Sequence, residues 1–173
     1  MSSPAPDTSD LRTGAPLHDA LLALLPLVGR WNGVGSGIAP SGGEFSYGQQ
    51  IEFVHDGRPF LAYESRSWLL DESGAVIRQA WRESGFWRPG SGEDDVEVVL
   101  ASNTGEALVF AGIAGDLRWD LATTSATAAA TAKAVTGERR LYALIDGDLV
   151  YATELAPAGE AYAPHLNARL SRL

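Results

Sequence analysis

From Arg30 onward the chain carries reversal signals roughly every ten residues, and this rhythm restricts the fold more than any other feature. The reversals are His55-Asp-Gly57, Asp71-Glu-Ser-Gly74, Pro89-Gly-Ser-Gly-Glu-Asp94, Asn103-Thr-Gly105, Gly115-Asp116 and Asp146-Gly147. Their Gly, Asn and Asp residues accept the backbone angles that tight turns demand. Between them the pattern predicts strands at Arg30–Ile38, Phe45–Val54, Pro59–Leu70, Val76–Trp87, Val96–Ala101, Ala107–Ile113, Leu117–Ala122, Ala129–Thr136, Arg139–Ile145 and Leu149–Leu155. Such a meander of antiparallel strands closes most simply into an up-and-down barrel.

Alternation along the strands bears on what the barrel contains. In Pro59–Leu70, Phe60, Ala62, Glu64, Arg66 and Trp68 face one way, and Leu61, Tyr63, Ser65, Ser67 and Leu69 face the other. Neither face is purely apolar. Charged groups among large rings fit a barrel with an internal cavity better than the dry core of a two-sheet sandwich, which is the alternative architecture. The stretch 122–134, built from Ala, Thr, Ser and one Lys, is ambiguous because alanine favours helix and threonine favours strand. Small residues at alternate positions would let a wall run close to a flat ligand, so strand is preferred there.

Ahead of the meander, residues 1–16 are rich in Ser, Pro, Asp and Thr and read as a disordered tail before a single domain spanning 17–173. Leu17, Leu21, Leu24, Leu25 and Val28 recur at helical spacing, which predicts a short helix packed across one end of the fold, with Pro26 ending it. At the other terminus, Leu166, Leu170 and Leu173 fit a helix, while His165, Asn167 and Arg169 alternating with Leu166, Ala168 and Leu170 fit a strand; strand is preferred because the barrel must close. The predicted fold is therefore all-β: an antiparallel ten-stranded barrel with a short N-terminal helix.

Composition excludes several kinds of chemistry. The 173 residues contain no cysteine, which removes disulfide scaffolds, iron–sulfur clusters and thiolate ligation, and a chain of this length needs no such staple. A net charge of −9 with scattered Lys and Arg opposes binding to nucleic acid or to an anionic membrane. No apolar run approaches the roughly 20 residues of a membrane span, and the expected location is the cytoplasm. Serine-nucleophile elbows and phosphate-cradling glycine loops are missing, and no convincing carboxylate pair stands out; the acidic clusters Glu93-Asp94-Asp95 and Asp146-Gly-Asp148 read as solvated turns. His18 reads as a cap or surface residue of the helix and His55 as a hairpin residue, and neither has zinc-ligand spacing.

The run Gly29-Arg-Trp31-Asn-Gly33-Val-Gly35 places glycine at every second position around one large ring. One strand face is then bare, so another backbone can approach it while Trp31 fills the space beside it. Gly29, Trp31, Gly33 and Gly35 are accordingly pocket-shaping rather than reactive.

Together with Pro59-Phe-Leu-Ala-Tyr-Glu and Trp68, Glu83-Ser-Gly-Phe86, Val96-Glu-Val-Val-Leu-Ala101, Thr104-Gly105, Ala132-Lys133 and Pro164-His-Leu-Asn-Ala-Arg-Leu170, this run makes the chain resemble the nitrobindin family from Leu17 to Leu173. The resemblance implies a barrel shaped like the fatty-acid-binding proteins that holds one haem b per chain, with His165 as the axial iron ligand. It implies Lys133 as a partner for a haem propionate; a solvated strand lysine is the plain alternative. Where the family carries Tyr-Pro-Thr, this chain has Ala39-Pro40-Ser41, so Ser41 keeps a hydroxyl near the haem and the tyrosine is lost. The implied small-molecule partners are peroxynitrite, isomerised to nitrate on ferric haem, and nitric oxide; a homodimer is the one protein partner considered. The competing reading is an intracellular carrier of a fatty acid or other apolar molecule without catalysis.

Overall fold

A computed structural model describes residues 4–132, 137–156 and 160–173. Its ten strands are β1 (Gly29–Ile38), β2 (Glu44–Val54), β3 (Leu61–Leu70), β4 (Val76–Pro89), β5 (Asp95–Ser102), β6 (Glu106–Gly115), β7 (Arg118–Ala128), β8 (Gly137–Ile145), β9 (Asp148–Ala156) and β10 (Ala163–Arg172). Each strand pairs with its neighbours in sequence, and β1 pairs with β10 to close the barrel. The two-sheet sandwich is thereby ruled out.

One expected strand is absent as such. Instead of a strand over Ala129–Thr136, β7 runs on to Ala128 and 129–132 form a turn, while 133–136 lie outside the described residues. The Ala129 N–H donates to Gly105 O and the Ala132 N–H to Ala129 O, so this turn folds against the β5–β6 reversal. Alanine and threonine supply no side chain large enough to hold a further turn of barrel wall, and local backbone bonds decide the outcome.

The helix, Asp19–Leu27, is a 3-10 helix rather than an α-helix. Its buried residues are Leu21, Leu24 and Leu27, every third position, which is the period that puts side chains on one line in a 3-10 helix. Pro26 lies inside it rather than ending it. Proline has no N–H to give the Ala23 carbonyl, and the Trp119 indole N–H donates to that carbonyl instead, at 2.9 Å. The Trp31 indole likewise donates to Leu27 O at 2.9 Å. Arg172 donates to Pro26 O and Val28 O and lies over the Trp31 ring. His18 accepts from the Ala20 N–H as the helix cap. The helix is thus fastened where β1 begins and β10 ends, and it plugs that end of the barrel.

The seam between β1 and β10 depends on missing side chains. A Cβ at Gly33 would overlap the Arg169 carbonyl, and one at Gly35 would overlap the Asn167 carbonyl and the Tyr47 ring. A Cβ at Gly37 would meet the rings and methyls of Phe45 and Leu166. These glycines give room to Tyr47, whose hydroxyl bonds Tyr151 Oη at 2.6 Å and Asn167 O at 3.0 Å.

Residues before the helix, for which the composition suggests disorder, carry defined contacts in the described part. Thr8 bridges His55, with Thr8 N–H donating to His55 O at 2.9 Å and His55 N–H to Thr8 O at 3.0 Å. His55 is buried beneath this bridge, rather than lying open in a hairpin.

Gly33→Val forces a branched side chain into the β10 backbone. The expected loss is about 3 kcal/mol of folding stability, read as a lower urea midpoint, whereas Val34→Thr on the exposed face of the same strand should change it by less than about 0.5 kcal/mol.

Candidate functional site

The end of the barrel opposite the helix is open and leads into a cavity of about 480 Å³, within the range of small-molecule and cofactor sites. Strand alternation supplies its walls. Phe45, Leu69, Trp81, Leu155 and Leu166 line the upper part, and Gln49, Tyr63, Glu83, Glu138, Arg140, Tyr142, Tyr151 and Thr153 line the floor. Trp81 lies edge-on to Phe45 at 6.1 Å between centroids and tilted against Tyr47 at 5.1 Å, which makes one side of the mouth an aromatic cluster of mutually inclined rings. On β3 it is Tyr63, Ser65, Ser67 and Leu69 that point inward. The charged face with Glu64 and Arg66 is therefore the outer wall, the polar groups that β3 gives the interior are hydroxyls only, and the charged interior groups come from other strands.

His165 stands at the mouth of this cavity. Regular alternation would put it outside with Asn167 and Arg169, but the register of β10 against β9 shifts between Pro164, opposite Glu154, and Leu166, opposite Thr153. His165 is the extra residue of a β-bulge, a device that re-aims a side chain. The bulge is stabilised by Thr153, whose hydroxyl accepts the Leu166 N–H at 3.1 Å. His165 Nδ1 lies 2.9 Å from Ile38 O on β1. A carbonyl can only accept, so Nδ1 carries a proton, and in the neutral ring this tautomer leaves the lone pair on Nε2. An imidazole oriented by a backbone carbonyl through one nitrogen is set up to bind a metal through the other.

The floor holds a buried ion cluster. Arg140 donates to both Glu83 oxygens, at 2.7 and 2.8 Å, and to both Glu138 oxygens, at 2.8 and 3.2 Å. Tyr63 Oη donates to Glu83 at 3.3 Å, and Arg140 Nη1 lies 3.5 Å from Tyr142 Oη. Burial raises the Glu83 carboxyl, but the charge and hydrogen bonds of Arg140 outweigh it and hold the group below the ordinary glutamate range. Burial pushes Glu138 the other way, upward, aided by the Glu83 charge and opposed by Arg140 and His165. Beside this cluster runs a neutral chain in which Tyr151 donates to Gln49 Oε1 at 2.7 Å and Gln49 Nε2 donates to Ser65 at 2.9 Å. Burial raises the pKa of Tyr63, Tyr142 and Tyr151, so these phenols stay protonated.

Of the residues singled out by sequence, His165 lies at the cavity, and Trp31, Gly33 and Gly35 lie in the seam with Gly29 at its closed end. Ser41 is exposed in the β1–β2 turn and does not line the cavity, although Pro40 beside it does. Lys133 lies outside the described residues. The floor carboxylates were not legible as a pair, because Glu83 on β4 and Glu138 on β8 are joined only through Arg140, which is 57 residues from Glu83 and meets it only through the barrel. Among the described residues no group of His, Asp and Glu has the geometry of a protein-only metal site.

Comparison with known proteins settles the lineage. The family described as the THAP4-like, heme-binding beta-barrel domain matches residues 20–172. The chain belongs to this family. Relatives named peroxynitrite isomerase include one from Salinispora arenicola, 45% identical over 98% of this chain and 89% of that protein, and one from Mycobacterium ulcerans, 45% identical over 96% of this chain and 90% of that protein. The solved structure of Rv2717c from M. tuberculosis superposes with a TM-score of 0.79 at 31% identity, covering 91% of this chain and 99% of that one. The family's cofactor is haem, and the cavity suits it: an imidazole at the mouth whose Nδ1 is engaged by a backbone carbonyl, aromatic side chains beside it, and a volume suited to a planar group.

Removing the guanidinium would leave two carboxylates buried without a counter-charge. Arg140→Met is expected to cost about 3–5 kcal/mol at pH 8, measured by urea unfolding, with the loss shrinking at pH 5 where the carboxyls can take up protons.

Proposed function

We propose that this chain holds one haem b through His165 and isomerises peroxynitrite to nitrate, and that nitric oxide binds at the same iron. The observation that carries the reading is the bulge at His165, which turns an otherwise outward histidine to the cavity and fixes its tautomer through Ile38 O. A haem held there would supply the iron chemistry that converts peroxynitrite to nitrate. Substrate and product have the same atoms and charge, so the protein needs to supply no net proton or electron.

The chain's own residues have narrower tasks. Ile38 O keeps the Nδ1 proton on His165 and thereby keeps Nε2 available as a ligand. Phe45, Trp81, Leu69 and Leu166 exclude water from the upper cavity. Arg78, exposed on the rim at the start of β4, is placed to pair with a carboxylate at the mouth. Lys133 follows Ala132 in the segment after the β7 turn and is proposed, with Arg78, as a propionate partner. Ser41 is assigned only a solvent-side contact, reached by movement of the β1–β2 turn.

An apolar carrier is disfavoured by the floor. A fatty acid would bring its carboxylate to Arg140, the one cation buried among the described residues, yet the donors of Arg140 are already taken by Glu83 and Glu138. Its hydrocarbon tail would have to lie against charged and hydroxyl groups.

Homodimer formation is also part of this proposal. On the outer wall, Phe86 pairs with Val99 and Val99 with Val109 across β4, β5 and β6, and these side chains are 49%, 43% and 37% exposed. Such a contiguous apolar row suits an isologous contact between two copies. Sedimentation should show a wild-type dimer and a Val99→Lys monomer with its barrel circular dichroism unchanged; wild-type monomer at high concentration would remove the dimer from the proposal.

Haemin added to the purified protein should give a Soret band and accelerate peroxynitrite decay to nitrate. His165→Ala is expected to shift or abolish the band and reduce the rate at least tenfold, which is a change of about 1.4 kcal/mol in barrier or more. An unchanged spectrum in that variant would refute the ligand assignment.

A further inference from the structure

Two carboxylates share one guanidinium on the cavity floor, and haem ligation alone does not require them. Arg140 spends Nε–H on Glu138, Nη1–H on Glu83 and weakly on Tyr142, and Nη2–H on both carboxylates. Nothing is left with which it can receive an anion. Fully ionised, the cluster carries one surplus negative charge and lines the same cavity as His165. An anion entering that cavity meets repulsion in a site that water screens poorly.

We propose that Glu138 is the proton-holding group of this cavity: it takes up a proton from solvent as an anion enters, which brings the floor to neutrality, and returns the proton when the anion leaves. That the anion is peroxynitrite or nitrate rests on the function proposed above. The proton balance closes over one turnover, because substrate and product carry the same charge.

Geometry distinguishes the two carboxyls. Glu83 accepts from Arg140 through both oxygens at 2.8 Å or less and also from Tyr63, so it is the better stabilised anion. Glu138 has side-chain bonds only from Arg140, and its Oε2 makes the longest contact of the four at 3.2 Å. It is thus the oxygen with most to gain from a proton. Burial acts in the same direction, raising the Glu138 carboxyl above the ordinary range. The titratable and charged groups lining the cavity with it are Glu83 and, at the rim, Arg78 of β4, Tyr63 of β3, Glu106 of β6, Tyr151 of β9 and His165 of β10, besides Arg140 and Tyr142 on its own strand. From β7 it meets Thr123, whose hydroxyl accepts the Glu138 backbone N–H at 3.1 Å. Glu138 is therefore a positioning and charge-compensating residue, while Arg140 and Glu83 hold it in place.

Two measurements test this. In haem-free protein labelled with 13C-glutamate, infrared titration should show a glutamate carboxyl that stays protonated above the ordinary range and is missing in Glu138→Gln. In haem-loaded protein, the affinity for thiocyanate, the anion of a strong acid, should fall about tenfold per pH unit above the Glu138 titration. Glu138→Gln should flatten that dependence, and Glu138→Asp, which keeps a carboxyl, should retain it. A slope that survives in Glu138→Gln belongs to hydroxide competing at the iron and overturns the proposal, as does a wild-type infrared spectrum without the protonated band. A chain that takes up no haem would refute the functional reading, and the infrared titration of wild-type protein alone would still judge Glu138.

Discussion

Everything at the open end of this barrel depends on how closely β1 and β10 approach. Gly33, Gly35 and Gly37 face inward along β1 and leave no side chain between that strand and the β10 backbone. The close seam brings Ile38 O to the His165 ring and leaves interior room for Tyr47, Phe45 and Leu166. A larger residue at Gly33 or Gly35 would push the β10 backbone away and take the histidine with it, and one at Gly37 would displace the Phe45 and Leu166 side chains. The glycine run thus acts on the site through spacing, without any chemistry of its own.

The closed end is built from the opposite material. Trp31 and Trp119 are fully buried, and their indole N–H groups end on carbonyls of the 3-10 helix that its own backbone does not use. A helix of nine residues with an internal proline has little stability by itself. Held by two indoles and Arg172, it becomes a plug, and the barrel needs only one opening. That asymmetry directs any planar ligand to the His165 end.

Much of this was legible in the chain. Turn chemistry and period-two alternation give nine of the strands near their observed places and give the closing strand at Leu166–Leu170, because these signals are local. Within the expected strand over Ala129–Thr136, the described residues 129–132 turn instead, because alanine and threonine carry weak and opposing preferences and the Ala129 bond to Gly105 and the Ala132 bond to Ala129 decide their shape. The orientation of His165 was not readable from alternation, which places it outside; only the bulge beside Pro164 turns it. A proline at the start of a strand hints at such a defect without locating it. The Glu83–Arg140–Glu138 cluster had no sequence signature, since its members meet across the interior and each alone resembles an ordinary strand residue.

The cluster also bears on why the interior is polar at all. A buried ion pair seldom improves on well-packed apolar groups of the same volume, so this cluster is weak evidence for stability. Its pH linkage points the same way. Glu83, held below its ordinary value, contributes stability that is present above the unfolded pKa and is lost as pH falls through the lowered one. Glu138, held above its ordinary value, does the reverse: the folded state binds the extra proton, and stability declines as pH rises from the ordinary glutamate range through the raised value. The two carboxyls therefore pull against each other across the acidic range, an arrangement that stability alone gives no reason to keep. A cavity that must admit and release an anion supplies one, because burial has already raised the Glu138 carboxyl and lowered the cost of its taking up a proton when the anion arrives.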